Sequence, residues 1–218
     1  MTETARIPPR EHEAAIVDAA RDLMAEGGVE AISMRAVAER VGVTATALYH
    51  YFQNKQELVD RVVRSAFERF GAQLEDAARR HPAGSMARIA ALGEAYLQFA
   101  VENETSFRVI FSIDPKDPRS FEDLPGGGGY PLLRQCVVDA MAAGALRPAD
   151  PDQVALYLWS LVHGIVTLVL TCRLQDCDDA HGHPIPASPL ELFHGFAPFI
   201  RHGLEAQATI NEQNAVKQ

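Results

Sequence analysis

The feature that most restricts the fold of this chain is a pair of short helical segments on either side of Gly42. Ser33 and Thr44 are favourable N-caps for helices over about 34–41 and about 45–52. Glycine between them allows the chain to reverse direction within a few residues. This order of elements predicts a helix-turn-helix, whose second helix is held away from the body of the domain and can enter the major groove of DNA.

The rest of the chain is predicted to be helical as well, because apolar residues recur at three- and four-residue spacing and no segment alternates with a period of two. Further helices are expected over Arg10–Glu26, Asn54–Arg80, Ser85–Glu102, Glu104–Phe111, Pro131–Ala143, Pro151–Leu174 and Pro189–Gln207. Asn54 and Glu57 have the spacing of a capping box, in which the glutamate reaches back to the cap. The predicted fold class is all-α, with an N-terminal three-helix helix-turn-helix domain over residues 10–55 and a larger helical domain for ligand binding and dimerisation over 56–207.

Composition adds limits on setting and partners. The chain has 218 residues, of which 47% are hydrophobic, and three cysteines. So few cysteines favour a reducing, cytoplasmic setting, and no signal peptide is recognised. The net charge of −9 opposes non-specific binding to nucleic acid. Residues 1–70 hold nine basic and eleven acidic residues, a net of only −2. Any contact with DNA is therefore expected to be local and made by a shaped module.

One apolar segment, Val154–Cys172, contains no charged residue and approaches the length that spans a bilayer. It also contains Ser160, His163 and Thr167, and acidic residues rather than Lys or Arg lie on both sides. We therefore expect no membrane contact, and instead a helix buried on every side at a subunit interface. Paired with the last helix, it is expected to form a four-helix bundle in a homodimer, with Leu158 and Val166 among the contacts.

Two motifs resemble a known family. The string AVAERVGVTATALYHYFQNKQEL, residues 36–58, resembles the DNA-binding signature of the TetR family of repressors, because Gly-Val-Thr, Leu-Tyr, Phe and Asn-Lys-x-Glu-Leu fall in one register. The string WSLVHG, residues 159–164, is similar to the Trp…His-Gly signature of one branch of these regulators. The resemblance implies a ligand-responsive regulator, a repressor that binds double-stranded operator DNA as a homodimer and is released by a small hydrophobic effector.

The same resemblance assigns the DNA contacts. The implied residues are Ser33, Arg35, Thr44, Ala45, Thr46, Tyr49, His50, Tyr51 and Lys55. Many relatives have a longer polar residue and a glycine where this chain has Ala45 and Thr46, and residues 45–52 include no Arg, Asn or Gln for a bidentate base contact. Base recognition is then expected to depend on the Thr, Tyr and His side chains and on DNA shape. The alternative is that the segment is an interior helical hairpin.

A ligand site is expected in the C-terminal part. The candidate residues are Tyr96, Phe99, Phe107, Phe111, Trp159 and His163. Aromatic side chains from three segments can line an apolar pocket that suits a neutral or weakly acidic hydrophobic molecule. Each aromatic side chain could equally be part of the hydrophobic core, with no role in ligand binding. His163 is either a histidine buried in the core or a polar side chain in the pocket.

The sequence gives little support to a metal site or to an enzyme active site. Metal-ligand residue types are grouped at Cys172, Cys177, Asp178, Asp179, His181 and His183, but their spacing matches no tetrahedral site, so a solvated loop and no metal are expected. No catalytic triad or paired-carboxylate motif is present, and Gly126–Gly129 lacks the Lys-Ser/Thr of a P-loop. The chain is therefore not expected to be an enzyme or to need a cofactor.

Overall fold

The computed structural model of the chain describes residues 9–111, 128–172 and 188–204, and the regular structure in these ranges is α-helical apart from a short 3₁₀ turn at residues 128–129. The helices are α1 (Pro9–Ala31), α2 (Met34–Val41), α3 (Ala45–Leu48), α4 (Lys55–Arg79), α5 (Met86–Glu102), α6 (Glu104–Phe111), α7 (Tyr130–Ala142), α8 (Pro151–Cys172) and α9 (Pro189–Leu204). The prediction of an all-α chain is confirmed. The described residues group into two compact units, the first made of residues 9–69 and 103–111 and the second of residues 70–102, 128–172 and 188–204.

The first unit is built on α1, which packs against α2 and α6, while α2 packs against α3. Its core contains fully buried side chains from α1, α2, α3 and α4: Ile16, Ala20, Val37, Leu48, Leu58 and Val62. The buried hydroxyl of Ser106 on α6 accepts a hydrogen bond of 2.8 Å from the Arg69 guanidinium on α4. This contact satisfies a polar group that would otherwise be costly to bury.

The end of α1 differs from the sequence expectation, which placed it at Glu26. The backbone leaves helical geometry at Gly27 and Gly28, and a further helical turn then continues to Ala31. The glycine pair thus produces a kink between two helical pieces rather than a final stop.

The second unit is centred on α5, which packs against α7, α8 and α9. Its most buried side chains include Phe70, Leu97, Phe99, Val137, Leu146 and Ile165. The N-terminal turns of α7 and α8 are tied by Asp152, which accepts hydrogen bonds from Arg134 at 2.7 and 3.1 Å and from the Tyr130 hydroxyl at 2.9 Å. The Arg134 and Tyr130 hydrogen bonds hold the pKa of the Asp152 carboxyl below its usual range.

The observed units do not coincide with the predicted division at residue 55. Residues of α4 up to Arg69 belong to the first unit, and so does α6, which lies 25 residues beyond the end of α4. The reason is packing, since Leu58 and Val62 are buried in the first unit and Phe107 and Val109 of α6 are buried as well. The division of function at residues 55 and 56 stays a prediction.

A substitution at Gly42 tests the turn in the first unit, and one at Gly71 in α4 is its control. Gly42 has a left-handed backbone (φ 77°), and an added Cβ would meet nothing within 4 Å, so Gly42→Ala introduces backbone strain and no clash. We expect a loss of about 1 kcal/mol in the free energy of unfolding. Gly71 lies in α4 with equally open space, so Gly71→Ala should stabilise by about 0.5–1 kcal/mol. Urea unfolding of both variants checks the pair, and an unchanged stability of Gly42→Ala would contradict the assigned strain.

Candidate nucleic-acid interface and ligand cavity

The turn between α2 and α3 is fixed by short-range hydrogen bonds. The Gly42 N–H donates to the Glu39 carbonyl at 3.2 Å, and the Val43 N–H donates to the Ala38 carbonyl at 2.9 Å. The Ser33 hydroxyl accepts from the Ala36 N–H at 3.1 Å, and the Thr44 hydroxyl accepts from the Ala47 N–H at 3.3 Å. Both predicted N-caps are therefore confirmed.

The α3 helix is shorter than expected, because it ends at Leu48 rather than near Phe52. After Leu48 the backbone tightens: the His50 N–H donates to the Ala47 carbonyl at 3.2 Å, three residues back instead of four. Leu48 and Phe52 remain buried and anchor this segment to the core. Tyr49 is 55% exposed and His50 is also exposed, so their polar ends face solvent.

The nine residues assigned to DNA contact all reach the surface. Exposed members are Ser33, Arg35, Thr44, Thr46, Tyr49 and His50, and partly buried members are Ala45, Tyr51 and Lys55. An interior hairpin would bury these side chains, so their exposure disfavours that alternative. The His12 ring lies near the Tyr51 ring, with 6.5 Å between centroids, and this contact on α1 explains why Tyr51 is only partly exposed.

Polar contacts also position the start of α4 and the end of α2. The Asn54 side chain accepts from the Glu57 N–H at 2.9 Å, as predicted for the cap. The Glu57 carboxylate accepts from the Gln53 N–H at 2.6 Å, one residue before the expected partner. The Arg40 guanidinium on α2 donates two hydrogen bonds, of 2.8 and 3.1 Å, to the Glu26 carboxylate on α1. The Arg40 hydrogen bond lowers the pKa of Glu26.

The second unit contains a cavity of about 400 Å³ among the C-terminal part of α4 and helices α5, α7, α8 and α9. This volume is within the range of small-molecule sites in proteins. Aliphatic and aromatic side chains form most of the wall. The lining residues are Phe70, Leu74, Met86, Ala87, Ile89, Ala90, Leu92, Gly93, Glu94, Tyr96, Gly128, Gly129, Tyr130, Leu133, Leu158, Trp159, Leu161, Val162, Phe193, His194, Ala197 and Ile200.

A hydrogen-bonded group on the wall joins α5 to α8. The Tyr96 hydroxyl lies 2.7 Å from His163 Nδ1, and it also accepts a hydrogen bond from the Trp159 indole N–H. Burial lowers the pKa of His163 and raises the pKa of Tyr96, so both are neutral at pH 7. Because an indole only donates, we assign the Tyr96 proton to the hydrogen bond with Nδ1 of His163.

A second polar contact lies where α5 meets α9. His194 Nε2 is 3.0 Å from a carboxylate oxygen of Glu94, and both side chains are exposed as well as lining the cavity. The neighbouring Phe193 ring covers Gly93 closely, since a Cβ added at Gly93 would lie 2.6 Å from Phe193 Cζ. The absence of a side chain at Gly93 therefore lets α9 approach α5 and bring Phe193 into the wall.

The structure brings together only part of the predicted ligand site. Tyr96 and Trp159 line the cavity, and His163 supports it through Tyr96 without being a lining residue. Phe99 is fully buried against Phe70, with 5.1 Å between ring centroids. The remaining two, Phe107 and Phe111, lie on α6 in the first unit and do not line the cavity. Ligand binding by any of the six stays a prediction.

Several lining residues were missed, although the sequence carries a signal for them. Met86, Ile89 and Gly93 recur along α5 at helical spacing, and Phe193, Ala197 and Ile200 recur along α9 in the same way. Each set marks one face of its helix. Nothing in the periodicity separates a face that lines a cavity from one that fills a core.

Large exposed apolar side chains occur on both α8 and α9. They are Leu156, Tyr157, Leu168, Leu190, Phe196 and Phe199, and we refer to this set of exposed residues as the α8–α9 face. Phe199 is 73% exposed, which is rare for so large an apolar side chain. The prediction that Leu158 and Val166 lie at the subunit interface was wrong. Their side chains are only 8% and 1% exposed, because they are buried within the chain itself. By length and hydropathy, Pro151–Thr171 would also be able to cross a membrane.

The segment with metal-ligand residue types after α8 lies outside the described part of the chain. Cys177, Asp178, Asp179, His181 and His183 lie outside the described residues, as does the side chain of Cys172. Within the ranges that are described, no three His, Cys, Asp or Glu side chains come together in a way that would hold a metal ion.

Comparison with known proteins gives two family matches that agree with this architecture. Residues 16–62 match the family of bacterial regulatory proteins of the tetR type, and residues 89–182 match the tetracyclin repressor-like C-terminal domain. The two matches together cover well over half of the chain. The chain belongs to the TetR family of transcriptional regulators, whose members are regulators and not enzymes.

The individual relatives agree with this assignment. The chain is 42% identical over 69 residues to the transcriptional repressor KstR of Mycolicibacterium smegmatis, covering 32% of this chain and 34% of that protein. It is 28% identical over 109 residues to the transcriptional activator FasR of the same species, covering 50% and 49%. Among solved structures, a protein of unknown function from Rhodococcus sp. RHA1 is 25% identical with a TM-score of 0.74, covering 93% and 100%. The match to KstR thus spans about a third of that protein's length.

The buried histidine should make stability depend on pH. Because the pKa of His163 is lower in the folded chain, the unfolded chain takes up the proton first as the pH falls. The free energy of unfolding should therefore fall between about pH 7.5 and pH 5.5, a window around the ordinary histidine pKa of about 6.5. In His163→Asn this fall should be smaller than in the parent, measured by urea unfolding across the window. His202→Asn, at an exposed position of α9, should keep the parental slope, and a parental slope in His163→Asn would contradict the assignment.

Proposed function

We propose that this chain is a cytoplasmic transcriptional repressor that binds a palindromic operator as a homodimer and leaves it when a small hydrophobic molecule occupies the cavity. The observation that carries the proposal is the exposed segment of Thr44, Tyr49 and His50, held in place by buried Leu48. The KstR repressors support repression. The similarity to FasR makes activation the other outcome of a reporter experiment.

The chemistry of the exposed segment suits duplex DNA. Hydroxyl groups of Thr44, Thr46 and Tyr49 donate to phosphate oxygens, and the threonine methyl groups meet thymine methyl groups. The imidazole of His50 has two ring nitrogens, one a donor and the other an acceptor in its neutral form, that can meet a base edge. Lys55 lies at the N-terminus of α4, where the ammonium group and the helix dipole favour a phosphate together.

The α8–α9 face supports a homodimer. A second copy can cover its six large apolar side chains symmetrically, with each residue facing its counterpart or a neighbour. A membrane is a poorer occupant, because Ser160, His163 and Thr167 interrupt α8 and acidic rather than basic residues flank its start. Two symmetric subunits present two recognition segments, which requires half-sites about 34–36 Å apart on the operator.

The placement of the cavity suggests how a ligand affects DNA binding. Leu161 and Phe193 line the cavity from α8 and α9, while Leu168 and Phe199 of the same helices belong to the α8–α9 face. A ligand that changes the packing of these helices therefore also changes how two subunits meet. By linkage, a ligand that prefers the arrangement unsuited to the operator lowers the affinity for DNA.

Two substitutions separate phosphate from base contacts. Lys55→Ala should weaken binding to all duplexes alike and reduce the slope of log K against log salt by about one, because one phosphate contact is lost. His50→Ala should instead lower preference at one base position, with a cost of about 1–3 kcal/mol for the favoured base. Fluorescence anisotropy with matched duplexes at several salt concentrations measures both. A change of base preference in Lys55→Ala, without the uniform loss, would contradict the phosphate role.

The dimer is tested by a charge on the exposed face. Phe199→Asp should convert a dimer into a helical monomer that binds DNA at least tenfold more weakly, because burying a carboxylate in an apolar interface is costly. Val101→Asp is the matched control: Val101 is 54% exposed on α5, outside the α8–α9 face, and its substitution should leave the dimer intact. Analytical ultracentrifugation at micromolar concentration reads out the mass. A monomeric parent protein, or a dimeric Phe199→Asp, would contradict this interface.

A further inference from the structure

Charged side chains are unevenly distributed around the cavity, whose wall is otherwise mostly apolar. Among the described lining residues, Glu94 is the only acid and neither Lys nor Arg is present. The partner of Glu94 is His194, an imidazole that is positively charged only when protonated. The carboxylate therefore lacks a permanent cation among these lining residues.

The position of Glu94 relative to the wall matters for the ligand. Glu94 lies where α5 meets α9 and is partly exposed, whereas Tyr96 and Phe193 beside it are buried in the wall. Aromatic rings of Phe70, Tyr130 and Trp159 complete this lining. A ligand that extends from the Glu94 position into the cavity thus meets a carboxylate first and π-faces and aliphatic groups afterwards.

These features favour one class of amphiphile. A cationic group beside Glu94 gains an opposite charge, and aromatic faces attract cations as well. A carboxylate or phosphate in the same place would be repelled by Glu94 and would be partly desolvated without a compensating cation. The long-range field acts in the same direction, because residues 71–218 carry a net charge of −7.

We propose that the cavity selects a lipophilic cation, such as an amine or quaternary ammonium with an apolar body, through the carboxylate of Glu94. This inference rests on the proposed function, in which the cavity is the effector site, and narrows the effector from hydrophobic molecules in general. The predicted preference for a neutral or weakly acidic molecule is replaced here by a preference for positive charge.

Three probes with the same ten-carbon chain test the proposal on the full-length protein. Decyltrimethylammonium, 1-decanol and decanoate are titrated below their aggregation concentrations, and the fluorescence of Trp159, the only tryptophan, reports binding. We expect the cation to bind about tenfold more tightly than decanoate, with the alcohol between them. Glu94→Gln should reduce this difference to about twofold or less, and Glu94→Lys should reverse the order.

Glu102→Gln is the matched control, because Glu102 is exposed on α5 but does not line the cavity, and it should keep the parental order. Equal affinities in the parent, tighter binding of decanoate, or an unchanged preference in Glu94→Gln would overturn charge selection. If 1-decanol binds but the three affinities do not follow the expected order, the proposal of an apolar effector site is retained and only the preference for a cation fails. If none of the three probes binds, the effector site of the proposed function fails with it.

Discussion

The reversal of the chain at Gly42 is the constraint on which the DNA-binding part of this protein depends. The left-handed backbone there lets α2 bury Val37 while the next segment buries Leu48 in the same core. Because both helices are fixed from the inside, Tyr49 and His50 have no room in the core and face solvent. The caps at Ser33 and Thr44 then satisfy backbone groups that the sharp turn would leave without partners. The exposure of this short segment therefore follows from the packing of the first unit.

A similar two-sided arrangement holds in the second unit. Different faces of α8 have different surroundings: Val166 is buried in the core, Trp159 lines the cavity, and Leu168 is exposed. At Gly93 the missing side chain admits the Phe193 ring, which closes part of the wall and leaves the remaining volume open. A single substitution at such a position would therefore alter both the shape of the cavity and the position of α9.

Much of the fold was accessible from the sequence, because helical periodicity and caps are local signals. The bounds of α5 and α6 agree with expectation to within one residue, and Ser33 and Thr44 cap as predicted. The errors have a common origin in tertiary packing. The sequence does not reveal that α3 tightens after Leu48, that α6 joins the first unit, or that Val166 faces the core of its own chain. Of the aromatic residues chosen for the ligand site, Tyr96 and Trp159 lie at the cavity, while Phe107 and Phe111 lie in the other unit. Composition alone does not distinguish these two groups.

The central claim is that the surface around Gly42 recognises a specific DNA sequence, and selection from a randomised duplex pool tests it most directly. The full-length protein is incubated with the pool at moderate salt, and bound duplexes are amplified and sequenced over several rounds. The account predicts enrichment of a palindrome whose half-sites are one helical turn apart, about 34–36 Å between centres. Failure to enrich any duplex, with a protein that is folded and dimeric, would contradict the account.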